Sequence, residues 1–252
     1  RYFFCRKEIE MRYPKSHMEQ KNFDIIVIGG GPGGYPAAIK AAQKGARVAL
    51  IEAKELGGTC LNRGCIPSKT LIANASVWKK VQHAQEFGIS LANAHFDYAK
   101  MAERKDDVVK KIRTSLTGLI ATNNITVFQG YGKLLSANEV KVNGIDNAIL
   151  TADKIILATG SEPRGIPAFP FDYKKIHDST SLLALTALPK SIAIIGGGVI
   201  GCEFASLYNA LGVEVTLLEW MPTLLPMECQ TISNALTRAF KKKGIHIETN
   251  AK

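Results

Sequence analysis

An α/β fold built from two copies of one strand–turn–helix–strand module, the second copy cut short, is what the sequence predicts. Three observations predict it. The 252-residue chain repeats itself without gaps at an offset of 167: DIIVIGGGPGGYPAAIKAAQKGARVALIEA (24–53) and SIAIIGGGVIGCEFASLYNALGVEVTLLEW (191–220) agree at 11 of 30 positions. Each copy carries Gly-x-Gly-x-x-Gly between a short β-branched run and a helix of small residues, at Gly29, Gly31, Gly34 and at Gly196, Gly198, Gly201. Each helix stops at a glycine, Gly45 or Gly212, and the next apolar run ends on Glu52 or Glu219, 23 residues after the first Gly of its copy.

Taken in order, residues 1–17 show no helical or strand period and carry five basic residues against two acidic ones. They read as a leader, upstream read-through or vector-derived tail, with Met18 a natural start. The run Phe23 to Ile28 is apolar and β-branched, as a strand buried on both faces must be. In the turn that follows, the first Gly permits a tight bend, the second lets backbone approach a pyrophosphate, and the third lets helix pack close to strand. The helix amino terminus faces that pyrophosphate with free N–H groups and the positive end of its dipole. Pro36 falls near the first helical turn, where its missing N–H is tolerated if the helix starts near Pro32. A carboxylate at the end of the second strand can accept both ribose hydroxyls, and its spacing is near the roughly 20 residues such sites show. Repeated in one register, the pattern specifies two Rossmann-like, three-layer dinucleotide-binding modules.

The segment Gly57 to Lys69 reads GGTCLNRGCIPSK. Cys60 and Cys65 permit an intramolecular disulfide if the backbone between them bulges, as Asn62 and Gly64 allow; a regular helix would point them apart. Zinc binding is a competing reading that wants two more Cys or His at ligand spacing, and two unrelated core thiols is a third. A thiolate here gains from the adjacent helix amino terminus, which lowers a thiol pKa from its usual value of about 8.5. Ile66 to Phe87 then reads as a helix. Over Tyr98 to Asn123, Met101, Val108, Val109, Ile112, Leu116, Leu119 and Ile120 recur at the helical period and predict a core-facing stripe. Ile125 to Leu135 and Glu139 to Val142 read as strands about a Ser136-Ala137-Asn138 turn, with a further strand from Lys154 to Ala158. Pro163, Pro167, Pro170 and Pro189 mark a connection, 166–189, between a first domain, 18–165, and an incomplete second one, 190–252.

Charge excludes some function classes. Beyond residue 17 the chain has 27 basic and 20 acidic residues. They are interspersed, as in Glu103-Arg104-Lys105-Asp106-Asp107, which reads as a solvated helix face and not the single-sign patch that nucleic acid requires. No apolar run approaches the roughly 18 residues of a spanning helix, so a membrane partner is not expected. Cys5, Cys202 and Cys229 are isolated and read as buried or tail thiols. His17, His83, His95, His177 and His246 read as surface residues. A start at Arg1, and an end at Lys252 just after the apparent strand Ile245 to Thr249, suggest a piece of a longer chain.

GGTCLNRGCIPSK is similar to the redox-active disulfide signature of the pyridine nucleotide disulfide oxidoreductases. The resemblance runs from about Glu19 to Lys252 and takes in Ile155 to Ser161 (IILATGS), the Gly130-Tyr131-Gly132 turn and the second Gly-rich module. It implies FAD in the first module, with Gly29, Gly31 and Gly34 at the pyrophosphate, Glu52 at the ribose, and Gly57, Gly58 and Thr59 along its central portion. Gly132, Thr159, Gly160 and Ser161 would complete those contacts, and Lys69 would lie beside the flavin ring. It further implies a Cys60–Cys65 disulfide in which Cys65 is nearest the flavin and Cys60 exchanges with an external dithiol.

The second module would hold NAD through Gly196, Gly197, Gly198, Val199, Ile200 and Gly201, with Glu203 near the nicotinamide and Glu219 at the ribose. Glu219 repels a 2′-phosphate, and neither Trp220 nor Met221 supplies a cation for NADP. Ser68 stands where glutathione-reducing relatives usually carry Lys. The implied activity is oxidation of protein-bound dihydrolipoamide with NAD as acceptor. An NADPH-dependent disulfide or mercuric reductase, and a non-catalytic nucleotide-binding fragment, are the alternatives. The implied partners are lipoyl carrier domains of 2-oxoacid dehydrogenase or glycine cleavage complexes and a second copy in a homodimer, in a bacterial cytoplasm or a mitochondrial matrix. No metal is implied. The family's late His-Glu base pair, its late Gly-Asp motif and its carboxyl-terminal dimerisation domain have no counterpart here, so the chain resembles the amino-terminal half of a longer member.

Overall fold

The computed structural model describes residues 20–251; the tail reading of residues 1–17, with Cys5, His17 and the start at Met18, lies outside the described residues. β1 (Gln20–Ile28) begins ahead of the expected Phe23 and lies between two parallel neighbours, β2 (Val48–Glu52) and β5 (Ala148–Leu157). β3 (Thr126–Leu134) joins β2 in parallel through its first half, then turns to pair with β4 (Glu139–Gly144) in antiparallel sense, and β4 pairs with β5, so the five strands close a ring. The start of β5 at Ala148, ahead of the expected Lys154, corrects the sequence reading. Asp153 and Lys154 interrupt its apolar pattern, so only the far end was visible as a strand.

Strand alternation divides this domain into layers. Ile26, Ile28, Ala49 and Ile51 face the antiparallel flap at Val140, Val142 and Leu150. Val27, Val48 and Leu50 face the other way, onto α1 (Tyr35–Gln43) and α4 (Tyr98–Thr122) through Ala38, Val109, Leu116 and Ile120. Helices, parallel sheet and flap form three layers. α1 starts at Tyr35 on a Gly34 cap, not at Pro32, and Pro36 still falls in its first turn, where no intrahelical donor is needed.

α4 departs from its expected stripe. Its buried residues are Tyr98, Ala102, Lys105, Val109, Leu116 and Ile120, whereas Ile112 is 38% and Leu119 48% exposed. At about 100° per residue, positions 112 and 119 lie roughly 60–80° round the helix from the line through Val109 and Leu116, beyond the sheet's reach. Lys105 points only about 20° from Ile112, and it is the connection that buries it, through the contact of its ammonium with the Leu183 carbonyl.

The dithiol segment forms two helices, α2 (Gly58–Arg63) and α3 (Cys65–Gln82), and a 3₁₀ turn at Ala84–Phe87 follows. The short helix α5 (Ser179–Leu183), with an Asp178–Ser181 capping box, lies in the connection. Beyond it come β6 (Ser191–Ile195), α6 (Val199–Ala210), β7 (Glu214–Glu219), α7 (Gln230–Lys242) and β8 (His246–Thr249). β6, β7 and β8 form a parallel sheet in that order. The two sheets meet through one shared core, in which Leu71 and Ala75 of α3, Leu183 of α5, and Phe204, Leu207 and Tyr208 of α6 are all buried. Among the described residues no helix is long and apolar enough to cross a membrane.

Candidate functional site

The Gly-rich turns are built by close backbone approaches. Gly29 has φ +108°, and a Cβ there would lie 2.0 Å from the Ala158 carbonyl oxygen at the end of β5. A Cβ on Gly34 would lie 1.8 Å from the Gly29 carbonyl oxygen, so α1 crosses the end of β1 at a separation only glycine permits. The second module repeats this, with a Cβ on Gly201 meeting the Gly196 carbonyl oxygen at 1.9 Å. The middle glycines differ. A Cβ on Gly31 would meet nothing nearer than 3.6 Å, and one on Gly198 nothing within 4 Å. Crowding inside the protein does not explain them, which fits close approach by a ligand.

Both acids act on their own loops as well. Glu52 accepts the Gly30 N–H on one carboxylate oxygen and the Lys54 N–H on the other, each at 2.7 Å. Glu219, buried, accepts the Gly197 and Met221 N–H groups at 2.5 and 2.7 Å. Sequence reasoning gave these residues a ribose and missed this pinning of the Gly-rich turn to its strand end. Each oxygen keeps acceptor capacity for a hydroxyl.

A cavity of about 1020 Å³ opens along the first module and reaches the second. That is at the upper end of the roughly 300–1,000 Å³ typical of ligand pockets. Gly29, Gly31 and Glu52 line it, as do Gly58, Thr59, Cys60, Cys65 and Lys69. Gly132, Thr159, Gly160 and Ser161 form another part of its wall, and α6 contributes Val199, Ile200 and Glu203. Gly34 and Gly57 stand behind the wall as supports, and the Gly57 N–H donates to the Gly30 carbonyl at 2.8 Å. Gly196, Gly197, Gly198, Gly201 and Glu219 are not brought to this cavity; they form the separate turn at the end of β6 and β7. Lining residues that the sequence did not suggest include Lys54, Arg63, Glu162 and Ser179. The Lys54–Glu162 ion pair, 2.7 Å long, joins loops 108 residues apart, a contact that no local pattern announces.

Cys60 lies in α2 and Cys65 opens α3, with Gly64 (φ −141°, ψ −110°) breaking the helix between them. A Cβ on Gly64 would lie 3.0 Å from the Thr59 carbonyl oxygen and 3.3 Å from Cys60 Cα, so glycine allows the chain to fold back there. The bulge expected at Asn62 and Gly64 is therefore a helix break, and Asn62 braces it by donating to the Leu56 and Gly58 carbonyls at 3.0 Å. The structure brings the Cys60 and Cys65 side chains into hydrogen-bonding contact. Burial, and then the hydrogen bond with Cys65, push the Cys60 thiol above its ordinary pKa. The expected lowering by a helix amino terminus is thus outweighed at Cys60.

One α-helical turn beyond Cys65, Lys69 forms an ion pair with Glu203 of α6, so the two modules meet across the cavity at the dithiol helix. Both side chains are at least a third exposed, which makes the pair a modest source of stability. Cys202 is buried, with its pKa pushed up to about 11 by burial and by the negative charge of Glu219. His83, His95 and His246 are exposed as expected, and His177 is half-buried against Ser181.

Comparison with known proteins agrees with this geometry. A family model described as pyridine nucleotide-disulphide oxidoreductase matches residues 23–252. The chain is 54% identical over 231 residues to a dihydrolipoyl dehydrogenase of Chlamydia pneumoniae, covering 92% of this chain and 50% of that one. It is 44% identical to one of Acholeplasma laidlawii over 92% of this chain and 69% of the relative. Among solved structures, LpdA from Mycobacterium tuberculosis superposes with a TM-score of 0.84 at 29% identity, over 91% of this chain and 52% of that one. The HOCl-induced flavoprotein disulfide reductase RclA from Escherichia coli, as its Cu(II) complex, gives 0.79 at 32% identity, over 92% and 50%. The chain spans about half the length of most of these relatives.

Proposed function

Because the chain belongs to the pyridine nucleotide-disulphide oxidoreductases, we propose that it forms the cofactor-binding, dithiol-bearing half of an enzyme that oxidises dihydrolipoamide with NAD. In this reading residues 18–165 hold FAD, 166–189 connect, and 190–252 begin the nicotinamide nucleotide domain. The observation that carries it is the adjacent Cys60 and Cys65 thiols in the wall of a cavity that also presents Glu52, the middle glycine Gly31 and Lys69. That donor set fits a flavin dinucleotide: Gly31 leaves room for a pyrophosphate, Glu52 accepts ribose hydroxyls, and the Lys69 ammonium offers positive charge beside the thiols. Bound there, FAD would relay electron pairs between a dithiol and a nicotinamide.

The chain's own residues perform the exchange. With Cys60 and Cys65 joined as a disulfide, a substrate thiolate attacks Sγ of Cys60, the S–S bond breaks, and Cys65 leaves as a thiolate. The second substrate thiol, deprotonated, attacks the substrate sulfur of the mixed disulfide and Cys60 leaves. The substrate becomes a disulfide and the protein pair two thiols. Lys69 and Glu203 balance charge where the modules meet. For the nucleotide, Glu219 favours NAD over NADP by accepting ribose hydroxyls and repelling a 2′-phosphate. Lipoyl carrier domains and a second copy of the full-length chain are the proposed partners.

The test uses the full-length protein reconstituted with FAD. Dihydrolipoamide should drive formation of NADH, and Cys60→Ser should reduce turnover on the order of a thousandfold or more. Undiminished turnover in that variant removes Cys60 from the exchange, and a kinetic preference for NADPH replaces this reading with an NADPH-dependent disulfide reductase.

A further inference from the structure

Among the described residues Lys105 is the one buried cation, 5% exposed, and no part of the proposed chemistry uses it. It stands on α4, which packs on the first sheet, yet its ammonium leaves that module. Nζ donates to the Leu183 carbonyl at 2.8 Å and lies 2.8 Å from the carboxylate of Asp106. Leu183 ends α5, the short helix of the connection. The Tyr208 hydroxyl of α6, which also meets the Tyr98 hydroxyl of α4, donates to the neighbouring Leu182 carbonyl at 3.4 Å. The last carbonyls of α5 are therefore taken by one side chain from each module. The Leu182 carbonyl also accepts the Leu185 N–H at 3.4 Å, so the Lys105 contact at Leu183 is the stronger tether, and carbonyls at a helix end accept cations well.

What α5 touches gives these two contacts their meaning. Ser179 and Leu183 line the cavity beside Phe204 and Leu207 of α6, and the same helix presents Val199, Ile200 and Glu203 to it. We infer that Lys105 and Tyr208 are positioning residues: by clamping the end of α5 between the modules, they fix where α6 meets the dithiol helix and hence where a nicotinamide is presented. The inference rests on the reading of the second module as the nicotinamide nucleotide site. A buried ammonium is an expensive way to hold a helix end if stability were the whole purpose, since an apolar side chain of that length would pack without desolvating a charge. Its directional bond supplies placement, which an apolar contact does not.

The test again uses the full-length flavoprotein, with Lys105→Met, Lys105→Arg and Tyr208→Phe, and reads two quantities. The first is hydrogen exchange of the amides of residues 182–185, which should quicken about tenfold in Lys105→Met. The second is single-turnover bleaching of the flavin by each partner: reduction by NADH should slow about tenfold, as misplacement of a reacting group does, while reduction by dihydrolipoamide stays within about twofold. Lys105→Arg should restore both. Unchanged exchange, an unchanged NADH step, or equal slowing of both steps overturns the inference. Should Lys105→Met fail to fold, Tyr208→Phe tests the clamp from the other module: a slower NADH step alone supports it, and any other pattern overturns it. Failure of NADH to reduce the unaltered protein's flavin would instead reject the functional reading beneath it.

Discussion

At Cys60 two local effects oppose each other. Its place in the first turn of α2 favours a thiolate, and its burial beside Cys65 disfavours one; burial prevails and holds the thiol above its ordinary pKa. Alkylation of Cys60 in the reduced protein should therefore be slower near pH 8 than that of a free thiol and should rise with pH, measured by peptide mapping after timed iodoacetamide treatment. A fast reaction near pH 7 would contradict it. Cys202 carries a stability consequence. Its pKa is about 11 in the fold against 9.0 when free, so the folded state holds this proton more tightly. The stability this confers is complete below pH 9 and is lost as the pH rises through 11, a fall of at most about 2–3 kcal/mol. Cys202→Ala should flatten that part of a urea-midpoint profile between pH 9 and 11. The motif identified which cysteines pair in space, since Gly64 and Asn62 are local. Burial is set by distant chain, and so the direction of the Cys60 shift was not legible.

For the elements, the two Gly-rich turns make separable predictions. Gly34→Ala places a Cβ 1.8 Å from the Gly29 carbonyl oxygen, with backbone on both sides that cannot yield. It should destabilise the fold by about 1–3 kcal/mol, visible as a lower thermal midpoint without cofactor. Gly31→Ala meets nothing nearer than 3.6 Å and should leave that midpoint nearly unchanged while weakening FAD binding, read by flavin fluorescence. Equal effects of the two changes on the cofactor-free midpoint would defeat the division of roles. These turns, β1, β2, β6, β7 and the helices between them were legible because strand, turn and helix signals agree within 30 residues. β5 was read only in part, since charge at Asp153 and Lys154 hides its ladder position, and α7 was not read, although Ile232, Leu236, Ala239 and Phe240 recur at the helical period. On α4 the period was right, and the face was misjudged at Ile112 and Leu119 because sequence gives a helix's phase without the width of sheet beneath it.

Taken whole, the molecule brings Cys60, Cys65, Gly31, Glu52 and Lys69 to one cavity and leaves Glu219 with the second Gly-rich turn outside it, a division that the sequence did not announce. The cavity wall is assembled from the ends of β1, β2, β3 and β5, the start of α3 and one face of α6, and the last of these joins only through tertiary packing. Lys54 with Glu162, Ser179 and Lys105 became visible once those elements met. One further consequence follows from α3, the helix that starts at Cys65 and whose middle supplies Leu71 and Ala75 to the core shared with α5 and α6. A hinge between the modules would have to tear that core open, exposing Phe204, Leu207 and Tyr208 to water, so the modules do not swing apart as independent bodies. In the proposed reading nucleotide would enter and leave by movement of side chains and loops at the cavity mouth, and X-ray scattering of the full-length protein should record a radius of gyration that changes by less than about 1 Å when NAD is added.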